Sequence, residues 1–391
     1  MALLEGKAGM SVKLTRAQLH DHGAGVHLLW GDGTETDVAS VWLRDNLPQH
    51  ADPHSGQRFL DVLDIPEGPR LVSAEVTRNA LQLHWHGEST TATIPTDWLH
   101  RRTRLGSNRP ELQIRHWLEA SLLEAHRDFQ HVAFPRLCGD DALRLHWLTG
   151  LLQDGLAFLS EVPTHEGAIL EAMKWVGTVP ETNYGYVFDV RAVPQPENLA
   201  YSDLGLGLHT DNPYREPVPG YQALHTLLAS PDGGDSTLAD GFAIAEYLRC
   251  QHPEAFMVLT RTPVPFEYVS HNADLYAERP LIQLSCTGTI EAICYNNRSV
   301  RPPCLPPAEA EAFYSAYRTY SRLLREPRFQ MQTRLENGEL MVFDNRRTLH
   351  GRTAFSSARH ARYLQGCYLT RDSIHSEAGQ LRRRLAGQGS P

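Results

Sequence analysis

The stretch Leu206–Pro217, LGLHTDNPYREP, places His209 and Asp211 two residues apart, after an apolar run and before a cluster of turn-formers. Side chains along an extended strand alternate faces, so positions i and i+2 point the same way. An imidazole and a carboxylate at that spacing aim at one point and can serve one ion. The competing reading is a turn that carries a surface histidine. With 20 histidines in the chain, the pair alone decides nothing. What surrounds it has to decide.

Working outward, the segment Phe343–Arg352, FDNRRTLHGR, supplies His350. Two histidines and one carboxylate on one face of an octahedral metal leave three positions open, the facial triad of non-haem Fe(II) oxygenases. The vacancies matter because a bidentate 2-oxo acid and then O₂ must both reach the iron. Arg362 lies twelve residues beyond His350 in another strand-like segment, ARYLQGCYLTR. A guanidinium is the natural bidentate partner for the distal carboxylate of 2-oxoglutarate. His209, Asp211 and His350 are therefore the candidate metal ligands and catalytic centre.

The rest of the chain must carry this centre. At 391 residues it is long enough for two domains. Net charge is −9 and the basic clusters are short, which speaks against a nucleic-acid partner. Six scattered cysteines include no CxxC pair, so neither a disulfide framework nor a cysteine zinc site is indicated, and reduced thiols suit a cytoplasmic protein. The N-terminal residues lack an apolar signal core, and no apolar run is long enough to span a membrane. Met10 is a possible second start.

Residues 1–105 read as a small β domain of short hairpins punctuated by Gly and Pro, with Trp42, Trp85 and Trp98 as core anchors. RLGSNRP (104–110) reads as a linker. Residues 110–391 begin with helical periods in ELQIRHWLEASLLEAHRDF (111–129), DDALRLHWLTGLLQDG (140–155) and GAILEAMKWVG (167–177). They continue mainly as strands, with helical inserts near 240–261 and 306–327. The expected class is mainly β with helices: a β-barrel or jelly roll with decorations.

Several segments carry a closer likeness. NLAYSDLGLGLHTDNPY, LHTLLASPDGGDSTLADGF, YNNRS and FDNRRTLHGR…ARYLQGCY resemble the TauD-type Fe(II)/2-oxoglutarate-dependent dioxygenases, and within them the γ-butyrobetaine dioxygenase-like members. VWLRDNLPQHADPHSGQR and IPTDWL resemble the small N-terminal domain of those members, so the likeness covers almost the whole chain. The resemblance implies a double-stranded β-helix catalytic domain, Fe(II) on His209, Asp211 and His350, and 2-oxoglutarate held by Arg362 with the Ser236 hydroxyl nearby. It also implies a homodimer. Many relatives bind structural zinc through cysteines where this chain has Leu47, Gln49 and Asp52, so no zinc is expected.

The resemblance further implies an aromatic cage for a trimethylammonium group, made here by Tyr184, Phe188, Tyr201 and Tyr368. A quaternary ammonium has no hydrogen-bond donor, so π-faces and dispersion must recognise it, at about 0.5–2 kcal/mol per cation–π contact. Phe188 stands where relatives commonly have Trp, and Asp189 beside it is a candidate for compensating charge. Asn198 and Asn296 match positions that bind the substrate's acid. Arg298 follows, and a cation there suits a carboxylate and suits a phosphonate better. Two substrates stay open: γ-butyrobetaine, giving carnitine, and 2-(trimethylammonio)ethylphosphonate. A non-catalytic betaine-binding protein is the alternative outside enzymes, although a mere binder has no use for three convergent ligands. A zinc or manganese hydrolase would leave Arg362 without a task.

Overall fold

The computed structural model describes residues 13–103, 112–117, 131–191, 204–355 and 362–387. The chain divides into two compact units, Met1–Glu111 and Leu112–Pro391. The expected linker, 104–110, lies outside the described residues.

The first unit is built twice from the same plan. Strands Leu14–His20, Gly25–Trp30 and Glu35–Ala39 form one antiparallel sheet and lead into the helix Ser40–Asp45. Strands Leu71–Val76, Ala80–Trp85 and Thr91–Pro95 form the other and lead into the helix Thr96–Thr103. Alternation explains the core: Val26, Leu28 and Trp30 point inward from one sheet, Leu81, Leu83 and Trp85 from the other. The tryptophan anchors are Trp30 and Trp85, with the Trp85 Nε1–H donating to Ser40 Oγ at 2.9 Å. Trp42 and Trp98, expected as anchors, are only part-buried and pack against that core. Leu47 is itself buried there, and Asp52 accepts from the backbone N–H groups of His54 and Ser55 in a turn.

The second unit holds two facing sheets. One has four strands in the order Leu206–His209, Thr348–Arg352, Ser236–Asp240, Met331–Thr333. The other has six, in the order His131–Ala133, Leu156–Ser160, Leu340–Asp344, Tyr221–Leu228, Tyr363–Leu369, Phe188–Val190. Pairing is antiparallel except between His131–Ala133 and Leu156–Ser160. From Leu206 to Leu369 the chain passes repeatedly from one sheet to the other, which makes the expected double-stranded β-helix.

Period-two alternation sorts each strand's residues. On Tyr221–Leu228, Tyr221 and Ala223 join an outer core with the helices Asp141–Asp154 and Arg371–Gly387, whereas Gln222 and Leu224 face the space between the sheets. Helices Gly241–Gln251, Pro253–Arg261 and Pro307–Leu323 contribute to a second core with Ala239 and Leu349 from the four-stranded sheet. Arg347 and Asp240 form a buried two-pronged ion pair at 2.7 and 3.0 Å. Asp240 also accepts from the first N–H groups of the helix Gly241–Gln251.

One expected helix fails in part. Leu112–Trp117 is not helical, because the Arg115 N–H is taken by the Gln153 carbonyl and the Trp117 Nε1–H by the Asp154 carbonyl. Residues 118–130 lie outside the described set.

Candidate active site

Between the two sheets lies a cavity of about 450 Å³. His209 ends an edge strand and pairs directly with His350 on the neighbouring one, which brings their rings to 4.3 Å between centroids. Asp211 lies just past the strand end, where the backbone is gripped from both sides. Its N–H donates to Asn345 Oδ1 at 2.7 Å, and Asn345 Nδ2 donates back to the Asp211 carbonyl at 3.0 Å. The Thr210 N–H is bonded to the Tyr295 carbonyl at 2.8 Å. The HxD pair is thus presented by fixed main chain rather than by a free loop.

The three side chains converge. His209 Nε2 is 3.2 Å from Asp211 Oδ1, and His350 Nε2 is 3.8 Å from Asp211 Oδ2. One ligand atom from each residue lies within 4.8 Å of the others, the only such group of three among the described residues. His209 Nδ1 lies 2.9 Å from the Gly207 carbonyl, which can only accept. Nδ1 therefore carries the proton, and Nε2 turns a lone pair toward the Asp211 carboxylate. Two acceptors facing each other at that distance suit a cation bound between them.

The electrostatics agree. Burial, with a further push from the Arg298 charge, lowers the His209 pKa. Burial and the neighbouring His209 push His350 down to about 3. For Asp211 burial alone would raise the pKa, but the close His209 and His350 rings and the Arg298 guanidinium outweigh it and hold the carboxyl well below its usual range. Two neutral imidazoles and one carboxylate are the donor set an Fe(II) ion takes.

A second charged group shares the cavity. Arg362 lines it together with Ser236 and Arg352. The Arg362 guanidinium has no hydrogen-bond partner among the described residues, and burial plus the nearby Arg352 charge push its pKa down to about 10. Room for it is made by Gly234, where a Cβ would sit 2.9 Å from its Cδ and Nε. The sequence GGDS is thus both a tight turn and the floor beneath Arg362. Asp235 is spent outside, accepting from Arg334 at 2.7 Å and Gln332 at 2.8 Å.

The opposite wall is aromatic. Tyr184, Phe188 and Tyr368 line the cavity, with Phe188 at 5.2 Å from Tyr368 and 6.3 Å from Tyr184. Two further rings join them. Tyr214 and Tyr268 are stacked at 5.1 Å, and Tyr268 lies 6.1 Å from Tyr184. Tyr268 arrives on the hairpin Val264–Ser270/Ala273–Arg279, and no local sequence signal marks it. The Tyr368 Oη–H donates to Asp211 Oδ2 at 2.9 Å, and burial beside that carboxylate holds the hydroxyl well above its ordinary pKa. Tyr201 and Asn198 lie outside the described residues.

One expected substrate contact is corrected, and another has a main-chain role as well. Phe188 and Asp189 are consecutive on one strand, so when Phe188 faces the cavity Asp189 faces away. The Asp189 carboxylate accepts from Tyr363 Oη at 2.9 Å and Gln365 Nε2 at 3.1 Å instead. Asn296 lines the cavity, but its amide braces the turn: Nδ2 donates to the Thr210 carbonyl at 2.9 Å and Oδ1 accepts the Arg298 N–H at 3.0 Å. Arg298 does reach the site, 3.9 Å from Asp211 Oδ1. Sequence reasoning passed over Gln222, Asn212 and Ser299, each buried with a polar atom that has no hydrogen-bond partner among the described residues. The alternation of the strand Tyr221–Leu228 was enough to find Gln222.

Comparison with known proteins agrees with this geometry. The profile of the taurine catabolism dioxygenase TauD, TfdA family matches residues 120–368, and that of the gamma-butyrobetaine hydroxylase-like N-terminal domain matches residues 17–100. A gamma-butyrobetaine dioxygenase of Pseudomonas sp. (strain AK-1) is 36% identical over 92% of this chain and 94% of its own. The Homo sapiens gamma-butyrobetaine dioxygenase is 27% identical over 96% of this chain and 99% of its own. A taurine dioxygenase structure from Burkholderia xenovorans aligns with a TM-score of 0.46 at 19% identity, covering 59% of this chain and 82% of that one. The chain belongs to the TauD, TfdA family and is a dioxygenase of its iron- and 2-oxoglutarate-dependent class.

Proposed function

We propose that this dioxygenase hydroxylates a CH₂ of a small trimethylammonium acid of the γ-butyrobetaine type, giving carnitine. The observation that carries the reading is one cavity that joins three metal-ligating groups, an Arg362 guanidinium with no hydrogen-bond partner among the described residues and a wall of tyrosine and phenylalanine rings. His209, Asp211 and His350 hold Fe(II). Iron bound there supplies the oxidising chemistry that puts one oxygen atom of O₂ into a C–H bond as 2-oxoglutarate becomes succinate and CO₂.

The chain's own groups bind and orient. Arg362 takes the far carboxylate of 2-oxoglutarate, with Ser236 beside it. Tyr184, Phe188 and Tyr368 enclose the trimethylammonium and exclude water, with Tyr201 and Asn198 assigned to the same pocket by resemblance. Gripping the substrate at both ends selects one CH₂, because orientation is worth several kcal/mol.

A second acid is favoured by one observation. The Asn296 amide is already bonded to the main chain, whereas the Arg298 guanidinium lines the cavity beside Asp211, 3.9 Å from its Oδ1. That balance suits a phosphonate dianion, as in 2-(trimethylammonio)ethylphosphonate. The deciding experiment supplies Fe(II), 2-oxoglutarate and O₂ and measures succinate with each acid in parallel. Turnover of the carboxylate alone supports the first reading and of the phosphonate alone the second; succinate with neither refutes both. A cytoplasmic homodimer belongs to the same proposal. Six unpaired thiols support the compartment, and family resemblance supports the dimer, to be checked by sedimentation.

A further inference from the structure

Tyr368 stands where the aromatic wall meets the metal ligands. Its ring lies 5.2 Å from Phe188, inside the cavity, while its Oη–H donates to Asp211 Oδ2 at 2.9 Å. The other carboxylate oxygen, Oδ1, faces His209 Nε2 at 3.2 Å. The Asp211 backbone is held by Asn345 at 2.7 and 3.0 Å. What remains free is rotation of the carboxyl group itself, a torsion with broad, shallow wells. A hydrogen bond to one oxygen stops that rotation and leaves the other oxygen aimed at the metal.

We propose that Tyr368 is a positioning residue for the metal ligand Asp211 as well as a wall of the substrate cavity, so that one side chain joins the quaternary-ammonium pocket to the metal site. The ring's part in recognition rests on the function proposed above; the hydroxyl's part does not. Outer hydrogen bonds of this kind change metal affinity by roughly 10–100-fold when removed.

The test separates the two. Tyr368→Phe keeps the ring and deletes only the hydroxyl. Tyr184→Phe makes the same deletion in the same aromatic cluster, away from Asp211. Co(II) is titrated into metal-free wild type and both variants by calorimetry, with neither 2-oxoglutarate nor amine present, and melting curves are taken alongside. The expected result is a loss of about 10-fold or more in Co(II) affinity for Tyr368→Phe, with a changed Co(II) visible absorption spectrum, and a change within about two-fold for Tyr184→Phe. Unchanged affinity and spectrum in a folded Tyr368→Phe overturn the inference, and so does an equal loss in Tyr184→Phe. Because no organic substrate is used, a wrong substrate assignment leaves this result intact. If Tyr368→Phe does not fold, the spectrum of Co(II)-loaded Tyr368→Trp decides in its place: a wild-type spectrum overturns the inference and an altered one supports it.

Discussion

Gly234→Ala isolates the co-substrate end of the cavity. Gly234 has φ +72°, and a Cβ there would lie 2.9 Å from both Cδ and Nε of Arg362 and 3.6 Å from Phe355 Cβ. Ordinary contact begins near 3.4 Å, so the Arg362 stem must retreat by about half an ångström. The left-handed backbone costs alanine roughly 1–2 kcal/mol besides, which lowers stability without moving the metal ligands. Hydrogen bonds between charged groups contribute about 1.5–3 kcal/mol each. Displacing the guanidinium enough to spoil one of two bonds to the 2-oxoglutarate carboxylate should therefore remove about 1.5–2 kcal/mol, and the KM for 2-oxoglutarate should rise roughly 10–30-fold. The KM for the quaternary amine should hold, because Tyr184 and Phe188 stand on other segments. The assay is succinate formation at varied 2-oxoglutarate with saturating amine, then the converse. A folded variant whose 2-oxoglutarate KM stays within two-fold, or whose two KM values rise together, refutes the placement of Arg362.

Gly366→Ala tests the other end: its Cβ would meet Phe188 Cε2 and Cζ at 2.4 and 2.5 Å, and displacing that ring should cost about 1 kcal/mol of amine binding, read as a roughly five-fold higher amine KM with an unmoved 2-oxoglutarate KM. Arg298→Gln should lower kcat/KM for the phosphonate at least ten-fold more than for the carboxylate if the guanidinium holds a dianion, and equal losses count against that role. Arg347→Met leaves the buried Asp240 unpaired, at a cost of about 3–5 kcal/mol and a fall in Tm on the order of 10 °C, and a shift under about 3 °C would show the pair to be dispensable. Burial pushes His225 from 6.5 down to about 4, so the unfolded chain takes up a proton first as pH falls. Stability from this group is complete above pH 6.5 and is lost toward pH 4, on the order of 3 kcal/mol in all, and His225→Gln should flatten the denaturation free energy over that window.

Much of the site follows from one rule of strand geometry. His209 with Asp211 share a face by spacing, and the cross-strand pairing of His209 with His350 adds the third ligand. The same rule, applied evenly, gives Gln222 opposite Tyr221 and separates Phe188 from Asp189; the error at Asp189 came from reading adjacency as shared orientation. Helical periodicity misled over Leu112–Trp117 for a different reason. At Leu112–Trp117 the backbone of Arg115 and the indole of Trp117 bind carbonyls at the end of the helix Asp141–Asp154, a tertiary demand that local pattern does not register. Tyr214 and Tyr268 stack only because a distant hairpin folds over the cavity, and no window of sequence contains that contact.

The acid end of the pocket exposes a deeper limit. Asn296 and Arg298 look equivalent as candidate ligands when read as residue types. The structure separates them by what each has already given away. The Asn296 amide already satisfies the Thr210 carbonyl and the Arg298 N–H, so a substrate acid bound there would share it with the main chain. The Arg298 guanidinium donates to no backbone carbonyl among the described residues, and it lies 3.9 Å from Asp211 Oδ1. On the function proposed, specificity at that end follows from the polar capacity left over after the fold has satisfied itself, a quantity that depends on every neighbouring turn and that spacing along the chain does not encode.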